Sequence, residues 1–137
     1  MKRVLVVDDE PDILLLLCLN LEAAGHEVLL AADGERALQR IEADKPDAVV
    51  LDVMMPVLDG WGVLESLARR PAPPPVLIVS AKTAAADIVH AVHLGASDYL
   101  TKPFDAEVLL SAVDHLLTRT PEERIAHQES LLRANGG

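Results

Sequence analysis

The chain has 137 residues, 50% hydrophobic and 25% charged, a globular composition of a length suited to one domain. Its net charge of −10 is a poor match for nucleic-acid phosphates or an anionic membrane surface, so neither is expected as a direct partner. Three aromatic residues, Trp61, Tyr99 and Phe104, imply an aliphatic core and too few rings to stack bases or a flat cofactor.

Val4–Val7 is a short β-branched run closed by Asp8-Asp9 and predicts a strand buried on both faces. A helix follows from an N-cap at Asp12, with an apolar face over Ile13–Ala24 and a stop at Gly25. The lone Cys18 in this helix excludes an internal disulfide and reads as a small core residue. Glu27–Ala31 is a second strand, and Asp33-Gly34 opens a helix carrying Ala37, Leu38 and Ile41 on one face. Ala48–Leu51 is a third strand ending at Asp52; a loop with Pro56 and Gly60 leads to a helix around Val63–Arg69. The proline-rich run 71–75 reads as a stiff connector. Val76–Val79 is a fourth strand ending at Ser80, followed by a helix over about Ala84–Leu94 that stops at Gly95. Asp98–Leu100 is a brief fifth strand, ending near Thr101-Lys102-Pro103; Asp105 caps a helix to about Thr118. Beyond Thr120, Pro121–Ala134 is compatible with one more short helix, and Asn135-Gly136-Gly137 reads as disordered. Neither Val4–Val7 nor Ile13–Leu19 reaches the roughly 20 apolar residues of a membrane span. No cleavable leader is evident, so a cytoplasmic protein is expected.

Five strand–helix units imply an α/β fold, a doubly wound parallel sheet with helices on both faces. Ligands of such sheets bind beyond the carboxyl ends of the strands. Those ends carry Asp8 and Asp9, Asp52, Ser80 and Lys102. Taken singly, each has an ordinary reading as a cap, a turn residue or a solvated lysine. Together they are three carboxylates, a hydroxyl and an ammonium. Converging carboxylates repel unless a cation joins them. An all-oxygen set suits Mg²⁺, with Mn²⁺ as the alternative. With Ser80 and Lys102 to hold phosphoryl oxygens and an aspartate as nucleophile, the set points to phosphoryl transfer.

The motifs Val-Asp-Asp-Glu at 7–10, Leu-Asp-Val-Met-Met-Pro at 51–56 with Asp59-Gly60, Val-Ser-Ala at 79–81 and Asp-Tyr-Leu-Thr-Lys-Pro-Phe at 98–104 closely resemble the receiver domain of bacterial two-component response regulators. The resemblance covers residues 1–119 and leaves 120–137 as a short helical tail or linker stub. It implies a flavodoxin-like strand order, 2-1-3-4-5. It implies that Asp52 accepts a phosphoryl group from a phosphohistidine on a sensor histidine kinase or phosphotransfer protein. Asp8 and Asp9 would bind Mg²⁺ together with Asp52 and the backbone carbonyl of Met54. Ser80 and Lys102 would contact the phosphoryl group, with a cis Lys102–Pro103 bond and Tyr99 as the switch aromatic. Phosphorylation would draw in Ser80, let Tyr99 turn inward, and alter the face made by the fourth helix, fifth strand and fifth helix. Met54, Ala81 and Lys82 sit where the family tunes phosphoryl lifetime.

The same comparison makes the chain a signalling module that modifies only itself, not an enzyme with turnover. Met54, in place of a second aspartate, argues against a haloacid-dehalogenase-like phosphohydrolase. Asp98 and Glu107 resemble part of a charge-paired dimer interface of the family, but the fourth helix offers His90 and His93 where basic residues are expected. Monomer or weak dimer is therefore the expectation. His26, His115 and His127 have no evident role, and Trp61 reads as a packing residue. A stand-alone receiver is the first reading; the receiver half of a transcription regulator is the alternative.

Overall fold

In the computed structural model the described residues are 2–55 and 57–137. Met1 and Pro56, the latter part of the motif at 51–56, lie outside them. The strands are β1 (Arg3–Val7), β2 (Glu27–Ala31), β3 (Ala48–Leu51), β4 (Val76–Ser80) and β5 (Asp98–Thr101). The helices are α1 (Pro11–Ala23), α2 (Gly34–Asp44), α3 (Gly60–Ala68), α4 (Ala85–His93), α5 (Ala106–Thr118) and α6 (Pro121–Ala134). All strand pairings are parallel, in the order β2-β1-β3-β4-β5.

Alternation along the strands divides the core into two layers. Leu5, Val7, Val49, Leu51 and Ile78 face Ala37 and Ile41 of α2, Val63, Leu64 and Leu67 of α3, and Ala91 of α4. Val4, Val6, Val50, Leu77 and Val79 face Leu17 and Leu21 of α1 and Leu109, Val113 and Leu116 of α5. Each fully buried Leu or Val contributes about 1.5–3 kcal/mol over an exposed one. The strands therefore read as continuous apolar runs, and their polar residues fall at the carboxyl ends.

Several local details differ from the sequence expectation. The first helix starts at Pro11, so Glu10 and not Asp12 stands in the N-cap position, without a side-chain cap bond; proline suits the first helical position because its φ is pre-set and the N–H it lacks would be unpaired there. Cys18 is half-buried on α1, and its thiol donates to Glu22 Oε1 at 2.9 Å. That hydrogen bond, with burial, raises its pKa. Helix α1 is apolar around most of its circumference, so periodicity did not mark which side faces in; Leu15, Leu16 and Leu19 are exposed. The third helix starts three residues before Val63, capped by Asp59, which accepts from the Gly62 N–H. Asn135–Gly137 are not a loose end: Asn135 Nδ2 and the Gly137 N–H donate to the Leu131 and Leu132 carbonyls. Both bonds satisfy carbonyls that a helix terminus leaves open.

Helix α6 opens with a capping box: Thr120 Oγ1 accepts from the Glu123 N–H, and Glu123 Oε1 accepts from the Thr120 N–H. It packs against α4 and the end strand β5. Arg124, His127, Gln128, Leu131 and Leu132 are its half-buried positions, followed by Asn135 at its C-cap, and none of its residues is fully buried. Among the described residues no helix is long and apolar enough to cross a membrane.

Candidate functional site

The parallel topology brings the ends of β1, β3, β4 and β5 to one edge. Asp8 and Asp52 follow the last buried residues of β1 and β3 and are 2% and 5% exposed. Asp52 is held there by its own backbone, whose N–H donates to the Val7 carbonyl at 3.0 Å. Gly60 lets α3 start directly against this loop. Its N–H donates to the Val53 carbonyl, and a Cβ there would stand 2.6 Å from the Asp52 carbonyl oxygen. Ser80 ends β4 fully buried. Lys102 follows β5, and its peptide bond to Pro103 is cis.

Lys102 reaches across the edge. Its Nζ lies 3.0 Å from Asp8 Oδ2 and 3.5 Å from Asp52 Oδ2, so one ammonium bridges two buried carboxylates. Burial and the neighbouring Asp8 charge raise the Asp52 pKa, against the opposing pull of Lys102 and the Met54 N–H. Burial disfavours the Lys102 charge, but the Asp8 hydrogen bond and the two carboxylate charges outweigh it and raise its pKa. The Met54 N–H donates to Asp52 Oδ1 at 3.3 Å, and the Met54 side chain is exposed.

Asp9 is exposed beside Asp8, and Glu10 joins them: one carboxylate oxygen of each lies within 4.8 Å of the others. This all-oxygen donor set fits a hard divalent cation. Asp52 stands across the Lys102 ammonium from that trio. Glu10, which the sequence reading did not single out, thus stands beside the predicted acidic pair. Asp9, Met54, Lys82 and Trp61 line one open depression beside Asp52, so two of the candidate tuning residues come together there. Ala81 is exposed next to Ser80.

Ser80 Oγ accepts from the Lys82 N–H at 3.0 Å. The Tyr99 hydroxyl donates to the Lys82 carbonyl at 2.8 Å, so the ring is already turned toward the β4–α4 loop. Burial raises the Tyr99 pKa. Trp61 packs edge-to-face on His90 with ring centroids 4.7 Å apart. His127, without a role in the sequence reading, places Nε2 2.9 Å from Asp98 Oδ1.

Known proteins share this fold and part of this sequence. Residues 4–114 match the family model described as response regulator receiver domain. The chain is 45% identical over 119 residues to the alkaline phosphatase synthesis transcriptional regulatory protein PhoP of Bacillus subtilis, covering 87% of this chain and 50% of that protein. It is 41% identical over 129 residues to the transcriptional regulatory protein PrrA of Mycobacterium tuberculosis, covering 94% and 55%. The chain thus spans about half the length of the curated relatives it matches. Among solved structures, a Francisella response regulator 1452 receiver domain superposes with a TM-score of 0.83 at 35% identity, covering 87% of this chain and 98% of that one. The chemotaxis response regulator CheY4 of Vibrio cholerae gives 0.80 at 32% identity, covering 85% and 99%. With the sheet order, the acidic edge and these matches in agreement, the chain belongs to the response regulator receiver domain family.

Proposed function

We propose that this receiver is a phosphoacceptor in which Asp52 takes a phosphoryl group from a phosphohistidine of a sensor kinase or phosphotransfer protein. One observation carries the reading: a single lysine bridges two buried carboxylates at adjacent strand ends, beside an all-oxygen acidic trio. A carboxylate oxygen of Asp52 attacks phosphorus as the P–N bond breaks, and the electron pair leaves with the imidazole. Lys102 is placed to follow the phosphoryl oxygens, since its ammonium already sits against Asp52. The Ser80 hydroxyl keeps its own proton to donate, because the Lys82 N–H occupies it as an acceptor. Asp8 and Asp9, with Asp52 and the backbone carbonyl of Met54, would hold Mg²⁺, which when bound neutralises charge on the transferred group; Glu10 stands beside the acidic pair. The Met54 N–H fixes the rotamer of the Asp52 carboxylate.

The test is intact mass after incubation with Mg²⁺ and acetyl phosphate. One phosphoryl adduct is expected on the wild type and none on Asp52→Asn; an adduct on both rejects Asp52 as the acceptor. A second setting is favoured by the relatives, which are transcriptional regulators about twice the matched length. There the same phosphoacceptor serves as one half of a longer regulator. Sequencing the gene downstream of the Gly137 codon separates the two settings.

A further inference from the structure

Four hydrogen bonds, joined through Tyr99 and Lys82, lead from helix α6 to Ser80 at the end of β4. His127 Nε2 meets Asp98 Oδ1 at 2.9 Å, and the same oxygen accepts from the Tyr99 backbone N–H at 2.8 Å. The Tyr99 hydroxyl then donates to the Lys82 carbonyl at 2.8 Å, and the Lys82 N–H donates to Ser80 Oγ at 3.0 Å. Arg119 Nη1 approaches the other Asp98 oxygen at 3.9 Å. On α6, Gln128 Nε2 donates to the Ala96 carbonyl at 2.8 Å and fixes the helix beside β5.

We propose that His127 is a positioning residue for phosphorylation of Asp52: through Asp98 it holds β5 and Tyr99 so that Ser80 faces the acceptor. The proposal rests on the phosphoacceptor reading above. Its two-state element is the Tyr99 ring, which with α6 docked lies against the β4–α4 loop. The inner face of α6 is mostly polar and holds no fully buried residue, so losing the His127 contact leaves the two core layers intact. An element held this weakly exchanges between docked and loose states more readily than the core does.

Tyr99 is the chain's one tyrosine, so a ¹³C-tyrosine label gives a single ring signal that reports on its hydroxyl. The experiment records this signal, and the rate of adduct formation with Mg²⁺ and acetyl phosphate, for full-length wild type, His127→Ala and His127→Gln. His127→Ala is expected to slow the adduct about fivefold, the effect of one ordinary hydrogen bond, and to move the ring signal. His127→Gln, whose Nε2 can occupy the same place, is expected to restore both within about twofold. A His127→Ala rate equal to wild type overturns the positioning role and leaves the phosphoacceptor reading standing. So does an unmoved ring signal, or a glutamine variant as slow as the alanine one. Absence of any adduct on wild type rejects the phosphoacceptor reading, and the positioning role falls with it.

Discussion

Replacing Lys102 with methionine keeps the apolar stem and removes the charge between Asp8 and Asp52. At 3.0 and 3.5 Å, each contact carries about 5 kcal/mol of gross attraction at an effective dielectric of about 20. Dehydration of the three groups cancels most of it. Deleting one partner of a largely buried pair costs about 3–5 kcal/mol, and the lower end applies because the Lys102 side chain is 18% exposed. Urea unfolding in EDTA should therefore show Lys102→Met about 3 kcal/mol less stable than wild type at pH 8. The loss should depend on pH. Lys102 has a raised pKa in the folded state, so its contribution is full below the unfolded lysine value and is lost only as pH rises through the folded one. At the acid end its partners change instead. Asp52, whose pKa is raised, takes up a proton as pH falls, and the lysine then has one carboxylate charge fewer to neutralise. The gap should shrink to about 1 kcal/mol near pH 4. An equal gap at both pH values would refute the electrostatic account and leave only packing of the stem.

Three further outcomes are expected. Asp52→Asn in EDTA should gain stability over wild type as pH rises from about 4 to 7, read from urea midpoints. The sign follows because a raised folded pKa stabilises below the unfolded value and that benefit is lost as pH climbs through the folded one. Gly60→Ala should lose about 2–3 kcal/mol in the same assay, because its Cβ meets the Asp52 carbonyl oxygen at 2.6 Å, backbone that cannot rotate away. Thr120→Ala removes the capping box, so amide exchange in α6 should accelerate about fivefold, matching roughly 1 kcal/mol for a lost cap, while β1 and β3 keep their protection.

The sheet and its acidic edge were legible because parallel strands buried on both faces cannot carry charge except at their ends. Ala48–Leu51 and Val76–Val79 were bounded on that logic, and Asp52 and Ser80 followed from it. What escaped depends on contacts between distant segments. The phase of α1 could not be read because leucine occupies nearly every side of it, which misplaced Cys18. The docking of α6 on its own receiver could not be chosen over a second chain or a linker stub, because its inner face is Arg124, His127 and Gln128 before it is Leu131 and Leu132, with no apolar stripe to single out a partner. Asp98 drew attention as a possible link between two chains; in the fold it serves Arg119 and His127 of its own chain.

The sheet ends in two strands of unlike character. β5 has α6 beside it, bonded to the Ala96 carbonyl just before the strand, and the Tyr99 N–H is taken by the Asp98 side chain, whereas among the described residues no strand lies beyond β2. Growth by strand addition into a continuous ribbon requires a free border on both sides of every copy. Extension of this sheet at β5 would therefore first have to displace the short helix that follows the receiver fold, whereas extension at β2 would displace no strand among the described residues.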